Sequence, residues 1–307
     1  MSFADLLCAD SLENEHVSAN AFAEIVARIA AGEPVQYVLG EETFFGRTFS
    51  VGSGVLIPRP ETEELCQWVI EECRMQNAEC RVLNAECRMQ NAECRMQNAE
   101  CRMLNAECRV LNAECRVLDV GTGSGAIAIT LAKELNAPEC RARIWLSASR
   151  RRAKPSEPRF NVTAIDISDE ALAIAQSNAE KLGADITFIK QDILAANSAF
   201  CILHSAFDII VSNPPYIMEK EQAEMSAHVL DHEPSIALFV PDSDPLLFYR
   251  AIADFALLHL SPGGMLFFEI NPLCAEEMLQ LLSDKGFSDI QLRKDQFGKQ
   301  RMIKATR

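Results

Sequence analysis

The sequence lacks any apolar run of the eighteen or so residues that a membrane-spanning helix needs. Its N-terminus also lacks the basic residues and the cleavage pattern of a secretory signal, so we expect a cytoplasmic protein with no membrane partner. Positive charge is scarce: the chain has 29 Lys and Arg but 44 Asp and Glu, which gives a net charge of −15. A nucleic-acid surface needs clustered Lys and Arg, so we expect no direct nucleic-acid substrate.

Closely spaced metal ligands are absent as well. The chain has twelve cysteines but no CxxC pair, and its five histidines are scattered, so we predict no metal site. Seven of the cysteines, from Cys73 to Cys115, recur every seven residues. They belong to a tandem heptapeptide, typically NAECRMQ or NAECRVL, whose six copies occupy 77–118.

Two interpretations of the repeat are open. It could form a coiled-coil arm, or it could be a tolerated surface insertion, which we favour because a seam of Met, Val and Ala is thin for a coiled coil. A second insertion at 139–159 is rich in Arg. It is either a basic patch for RNA or an acidic partner, or a solvated loop, and we favour the loop because it interrupts a regular alternation of strands and helices.

That alternation begins at Arg116 and defines the fold. Apolar runs with strand or helix periodicity predict strands at 116–121, 160–166, 185–192, 207–213 and 263–270, and helices at 126–135, 168–183, 245–260 and 275–286. The segments 289–295 and 301–306 could pair as a closing hairpin. The fold class is therefore α/β: a Rossmann-like, mostly parallel sheet with helices on both faces.

Polar residues follow three successive strands of this predicted sheet. The glycine-rich turn at 121–125 (GTGSG) opens a helix, Asp166 ends the next strand, and Asp192 and Ile193 end the third. The turn is GxGxG rather than the GxGxxG of dinucleotide sites. Asp166 lies 45 residues beyond Gly121, and removing the Arg-rich insertion brings this close to the roughly 20 residues expected of a nucleotide-binding unit. We predict a nucleoside pocket at these strand ends.

The fourth strand delivers the tetrapeptide NPPY, Asn213 to Tyr216, to the same edge. The pocket and this motif resemble those of S-adenosylmethionine-dependent methyltransferases that modify a planar NH₂ group. Such a nitrogen is a poor nucleophile, and two acceptors for its two N–H bonds would orient it towards the methyl donor. The Asn213 side-chain oxygen and the Pro214 carbonyl can be those acceptors, Pro215 helps to fix the carbonyl, and Tyr216 can stack on the planar group.

Two further segments narrow the resemblance. LIPRPETE at 56–63 and HEPSIALF at 232–239, with NPPY between them, resemble the release-factor glutamine N5-methyltransferase family. The resemblance covers Gly32 to Glu72 and Arg116 to Thr306 without the Arg-rich stretch. It implies S-adenosyl-L-methionine as cofactor and the GGQ loop of class 1 peptide-chain release factors as substrate. The implied cofactor contacts are Gly121, Thr122, Gly123, Ser124, Gly125, Asp166, Asp192, Ile193 and Asn213; the implied substrate contacts are Asn213, Pro214, Pro215 and Tyr216, with Asn213, Pro214 and Tyr216 catalytic.

We expect four regions along the chain: a short helical N-terminal domain at 1–38, a hairpin and helical linker at 39–76, the repeat at 77–115, and the methyltransferase domain at 116–307. Only about thirty residues precede GEPVQY, so we expect the first helices of the family's N-terminal domain to be missing. Two other functions are open: an adenine-N6 DNA or RNA methyltransferase, and a degenerate protein that binds the cofactor without catalysis.

Overall fold

A computed structural model describes residues 19–75, 115–137, 160–195 and 206–307. Residues 1–18, the heptapeptide copies before Cys115 and the Arg-rich stretch at 139–159 lie outside the described residues. The alternative interpretations of both insertions, and the extent of the N-terminal domain, therefore stay predictions.

The described residues contain a central sheet of seven strands, in the order β10-β11-β9-β6-β3-β4-β5, and two small two-stranded sheets. The strands are β1 (Glu41–Phe44), β2 (Arg47–Ser50), β3 (Cys115–Val120), β4 (Phe160–Asp166), β5 (Ile186–Lys190), β6 (Phe207–Ser212), β7 (Ile217–Met218), β8 (Phe239–Val240), β9 (Leu260–Glu269), β10 (Ser288–Lys294) and β11 (Gln300–Thr306). Strands β9, β6, β3, β4 and β5 are parallel, and β11 runs antiparallel between β9 and β10. This confirms the predicted parallel sheet with a closing hairpin.

Helices cover both faces of the sheet. They are α1 (Ala19–Ala30), α2 (Val35–Leu39), α3 (60–75), α4 (Ala126–Leu135), α5 (Asp169–Leu182), α6 (Ala227–His232), α7 (Ser235–Leu238), α8 (Leu247–His259) and α9 (Ala275–Asp284). Within the described part of the chain, none of these helices combines the length and the apolar character needed to cross a membrane.

Helix α5 shows how local sequence sets the element boundaries. The Ser168 side chain accepts a hydrogen bond from the Ala171 N–H, which satisfies a backbone donor that the first helical turn leaves free. Gly183 ends the helix with φ of 62°, a left-handed conformation that glycine adopts without the penalty of a Cβ atom. The predicted cap and stop are both confirmed.

The two faces of the sheet bury two hydrophobic clusters because side chains alternate along each strand. In β9, Phe267 packs in the cluster under α3 and α4, whereas Phe268 packs in the cluster under α8 and α9. Trp68 of α3 is fully buried and meets Phe267 edge to face, with ring centroids 5.6 Å apart. The helix before the repeat is therefore part of the same core as the sheet, which fixes its first turn beside the strand ends.

A buried asparagine ties the N-terminal hairpin to the glycine turn. The Asn178 amide accepts from the Ser50 N–H at 2.7 Å and donates to the carbonyl oxygens of Ser50 and Ser124, each at 2.9 Å. All polar atoms of this side chain are thereby paired inside the protein, as a buried amide requires. The contact holds β2 against the loop that begins α4.

Two sequence predictions need correction, and one region had no predicted elements. Leu260 belongs to β9 rather than to the preceding helix, since it pairs with Phe207 of β6. Strand β5 ends at Lys190, so Asp192 and Ile193 lie just beyond it, and Ile193 begins a short 3₁₀ helix. The sequence pattern also gave no elements for 217–240, where two short helices and the β7–β8 pair occur.

Candidate active site

A cavity of about 380 Å³ opens at the carboxyl ends of β3, β4 and β6, a size typical of small-molecule sites. It brings together most of the residues predicted from the sequence: Gly121, Thr122, Gly123, Ser124, Asp166, Asp192, Ile193, Asn213, Pro214 and Pro215. Two predicted residues, Gly125 and Tyr216, are not among its lining residues. Gly125 immediately precedes α4 as its N-cap, and Tyr216 packs partly buried against the core.

The glycine turn places its backbone along one wall of the cavity. Gly121 and Gly123 have φ of 75° and 54°, values that favour glycine. Gly125, also in the left-handed region, faces a packing limit: a Cβ atom there would lie 3.0 Å from Ile129 Cδ1 and 3.2 Å from Ala175 Cβ. Gly121 and Gly123 thus leave open space where a side chain would begin, and Gly125 allows a tight contact with α5 behind the turn.

Asp166 organises this wall through its carboxylate. One oxygen accepts from the Gly123 N–H at 2.9 Å, and the other accepts from the Ser168 N–H at 3.0 Å. Each carboxylate oxygen keeps a further lone pair for a ligand. Nearby, Asp192 accepts from the Leu194 N–H at 2.8 Å. Both acids are therefore held by backbone amides, and their contacts with a ribose and an adenine stay predictions.

Asn213 is oriented by Thr62 and, through it, by Glu269, two residues that sequence reasoning missed. Its Nδ2 donates to Thr62 Oγ1 at 3.1 Å, Thr62 donates to Glu269 Oε2 at 2.6 Å, and Tyr216 donates to Glu269 Oε1 at 3.0 Å. Among the residues that the structure describes, no group donates to Asn213 Oδ1 or to the Pro214 carbonyl. Both acceptors are free for a ligand.

Glu269 is the ionisable group that connects the hydroxyls of this network. Burial raises the pKa of its carboxyl, while the hydrogen bonds from Thr62 and Tyr216 and the charge of Arg301 act in the opposite direction. Thr62 lies in the LIPRPETE segment and Glu269 ends β9. The only sequence signal was an acid at the end of another parallel strand, the kind of position that had marked Asp166.

The two segments that carried the family resemblance meet at the wall of the cavity. Arg59 of LIPRPETE forms an ion pair with Glu233 of HEPSIALF, and the Ile57 N–H donates to the same carboxylate at 3.3 Å. The Glu233 side chain is buried, so the pair is shielded from solvent on one side. Pro58 and Pro234 beside these residues line the cavity. The sequence pattern had marked the segments but not this contact between them.

Asp119 lies beneath the glycine turn and does not line the cavity. Its Oδ2 accepts from Thr122 Oγ1 at 2.6 Å and from the Ala128 N–H at 3.2 Å, whereas Oδ1 has no partner within the described ranges. Burial raises the pKa of Asp119 to about 7. Its role is to hold the turn against the start of α4.

Comparison with known proteins agrees with this geometry. A family model described as a methyltransferase domain matches residues 111–287, so the fold is that of a methyltransferase. Release factor glutamine methyltransferase from Bacteroides thetaiotaomicron is 40% identical over 92% of this chain and 79% of its own length. The proteins of that name from Flavobacterium psychrophilum and Bacillus subtilis are 38% and 37% identical, over 98% and 89% of this chain and 85% and 75% of theirs. The chain belongs to the release factor glutamine methyltransferase family.

Proposed function

We propose that this chain transfers a methyl group from S-adenosyl-L-methionine to the side-chain nitrogen N5 of the glutamine in the GGQ motif of class 1 peptide-chain release factors. The supporting observation is the pair of free acceptors, Asn213 Oδ1 and the Pro214 carbonyl, beside a nucleoside-sized cavity. A primary amide has two N–H bonds, and the two acceptors match them. Family membership supports the choice of a glutamine amide over other planar NH₂ groups.

The residues around the cavity fit the cofactor. Gly121 and Gly123 leave open space for a ligand, Asp166 and Asp192 offer carboxylate oxygens, and Ile193 offers an apolar face. When bound, S-adenosyl-L-methionine supplies an electrophilic methyl group on a sulfonium sulfur. We assign the glycine turn, the two acids and Ile193 to its nucleoside part.

The chain's own contribution to the reaction is orientation. Asn213 Oδ1 and the Pro214 carbonyl accept the two N–H bonds of the amide and so fix the plane of the nitrogen. Pro214 and Pro215 restrict the backbone that carries this carbonyl. The substrate nitrogen gives up one N–H proton to water, so the residues need to supply no base. Orientation of this kind can be worth effective molarities of roughly 10⁵ M or more.

The test measures transfer of labelled methyl from S-adenosyl-L-methionine to a class 1 release factor. The matched control is the same release factor with glutamate in place of the GGQ glutamine, since a carboxylate has no N–H to methylate. Duplex and single-stranded DNA serve as competing acceptors. We expect label only on the unmodified release factor. Label on DNA would favour an adenine-N6 enzyme, and no label on any acceptor would favour a degenerate protein.

A further inference from the structure

Glu269 is hydrogen-bonded to two segments of the site but does not line the cavity. It ends β9 and is 1% exposed. Its two carboxylate oxygens take the protons of two different hydroxyls, Thr62 Oγ1 at 2.6 Å and Tyr216 OH at 3.0 Å. Thr62 comes from α3 and Tyr216 from the NPPY segment, so one carboxylate connects two of the segments that form the site.

The direction of these hydrogen bonds determines the direction of the next one. A threonine hydroxyl has one proton, and Thr62 gives it to Glu269. The Thr62 oxygen can then only accept from Asn213, and the amide atom that can donate is Nδ2, which lies 3.1 Å away. The Asn213 oxygen is thereby turned to the other side, where it is free to accept from a ligand.

We propose that Glu269 is a positioning residue for methyl transfer: through Thr62, its ionised carboxylate holds the Asn213 amide with Oδ1 facing the substrate nitrogen. This inference rests on the proposed function, because it concerns the same amide acceptor. A buried carboxylate is a costly partner for two neutral hydroxyls, since burial disfavours its charge. A neutral side chain could fill the space more cheaply but would not impose one direction on the hydroxyl of Thr62.

Protonation of Glu269 would remove that control. A carboxylic acid can donate to Thr62, which can then donate to Asn213 Oδ1, and the amide would turn its N–H groups towards the N–H groups of the substrate. Activity should therefore fall as pH falls through the pKa of Glu269, which burial raises above the usual glutamate range. The titratable or charged groups around this carboxyl are Glu61 and Cys66 of α3, Tyr216, Tyr249 of α8, and Arg301 of β11, which pairs with Asp295.

The variants separate orientation from packing. Thr62→Val keeps the shape of the side chain and removes the hydroxyl, while Thr62→Ser keeps the hydroxyl and removes a methyl group. Thr130→Val is the matched control for the same substitution at a buried threonine, because the Thr130 hydroxyl has no partner among the described residues and lies in α4. Glu269→Gln removes the carboxylate, and Thr62→Val with Glu269→Gln completes a double-mutant cycle.

We expect Thr62→Val to lower kcat for the release factor roughly 10- to 100-fold, the scale of the loss in activity when the hydrogen-bond partner that orients a ligand-contacting side chain is removed. The Kd of S-adenosyl-L-methionine should change by about twofold or less, Thr62→Ser should recover most of the rate, and Thr130→Val should match the parent. Glu269→Gln should lower kcat to a similar degree, with no further loss in the double variant. The advantage of the parent over Thr62→Val should shrink at acid pH. Equal kcat in Thr62→Val and the parent would overturn the inference.

A second readout uses the unaltered protein and requires no activity. The Asn213 side-chain NH₂ resonance, identified by its loss in Asn213→Ala, should shift as pH falls through the pKa of Glu269, which burial raises. A resonance that does not titrate would overturn the inference even if a variant failed to fold. If the resonance titrates but the parent methylates no release factor, the positioning network stands and the proposed function fails.

Discussion

At the scale of single residues, what a polar side chain can bind depends on which of its hydrogen-bonding atoms the protein leaves unpaired. The Asn213 amide has its donor engaged by Thr62 and its acceptor free, which suits it to receive an N–H. Asp166 has both carboxylate oxygens on backbone amides, so it shapes the glycine turn as well as facing the cavity. The sequence pointed to both residues. The partner of Asn213, Thr62, lies 151 residues away in the chain and could not be inferred from local spacing.

Replacing Asn213 by Ala should lower turnover at least about 10²-fold, the scale of loss when one preorganised polar contact to a reacting group is removed. The Pro214 carbonyl would remain as a single acceptor and could not fix the plane of the amide. Cofactor affinity should change far less. Rates from labelled methyl transfer and affinities from calorimetry check this, and near-normal turnover would contradict the role of Asn213.

Replacing Asp166 by Ala should weaken S-adenosyl-L-methionine binding by about 1.5–3 kcal/mol, the range for hydrogen bonds to a charged group. The Gly123 amide also loses its acceptor, and the glycine wall loses order with it. Asp284→Ala, an exposed acid at the end of α9, is the control and should bind normally. Unchanged affinity in Asp166→Ala by calorimetry would mean that another group holds the ribose.

Asp119 should make stability fall as pH rises. Its pKa is raised from an ordinary value near 3.8 to about 7 in the folded protein, so the folded state binds the proton more tightly. The stabilisation is complete below about pH 4 and is lost as pH rises to about 7. Asp119→Asn cannot ionise, so its stability relative to the parent should increase by roughly 2–3 kcal/mol between about pH 5 and pH 8. Urea unfolding at both pH values measures this, and a constant difference would contradict it.

At the scale of elements, context outweighs local sequence at the two ends of the repeat. Cys73, Arg74 and Met75 are helical, whereas Cys115, Arg116 and Val117 of the last copy form a strand. The first triplet continues α3, whose buried face packs on the sheet. The last triplet pairs with β4, and Val117 also pairs with β6. Tertiary contacts thus determine the structure of these two triplets.

The predictable elements were those with a strong local signal. Strand β4 and helix α4 follow from apolar periodicity, and helix α5 follows from periodicity and its two caps; the structure has all three at the predicted residues. The short helices and the two-residue strands between 217 and 240 have no such pattern. They are held in place by contacts with distant residues, such as that of Glu233 with Arg59. The bond between Thr62 and Glu269 joins residues 207 apart in sequence, which no local rule could find.

At the scale of the whole molecule, the cavity and the attachment of the repeat lie at opposite ends of the sheet. Thr62 near the start of α3 lines the cavity, and residue 75 is about 20 Å further along the helix at 1.5 Å per residue. Cys115 begins β3, and the cavity lies past the carboxyl end of that strand. The described residues on both sides of the repeat are thus remote from the site.

Deleting residues 77–111 should therefore leave the enzyme active. The five copies removed carry equal numbers of Glu and Arg, so their loss does not change the charge around the cavity. The last copy and β3 remain intact, and closing a shorter connection changes the chain entropy only slightly. We expect methyl transfer within a few-fold of the parent, or about 1 kcal/mol in barrier. Loss of cofactor binding with an unchanged circular dichroism spectrum would show that the repeat contributes to the site.

The most direct measurement of the central claim is peptide mass spectrometry of a class 1 release factor after incubation with this protein and S-adenosyl-L-methionine carrying a labelled methyl group. The two acceptors at Asn213 and Pro214 predict one labelled methyl group on the side-chain nitrogen of the GGQ glutamine, and its loss with Asn213→Ala. A label on another residue of the release factor, or the same yield from Asn213→Ala, would contradict the account.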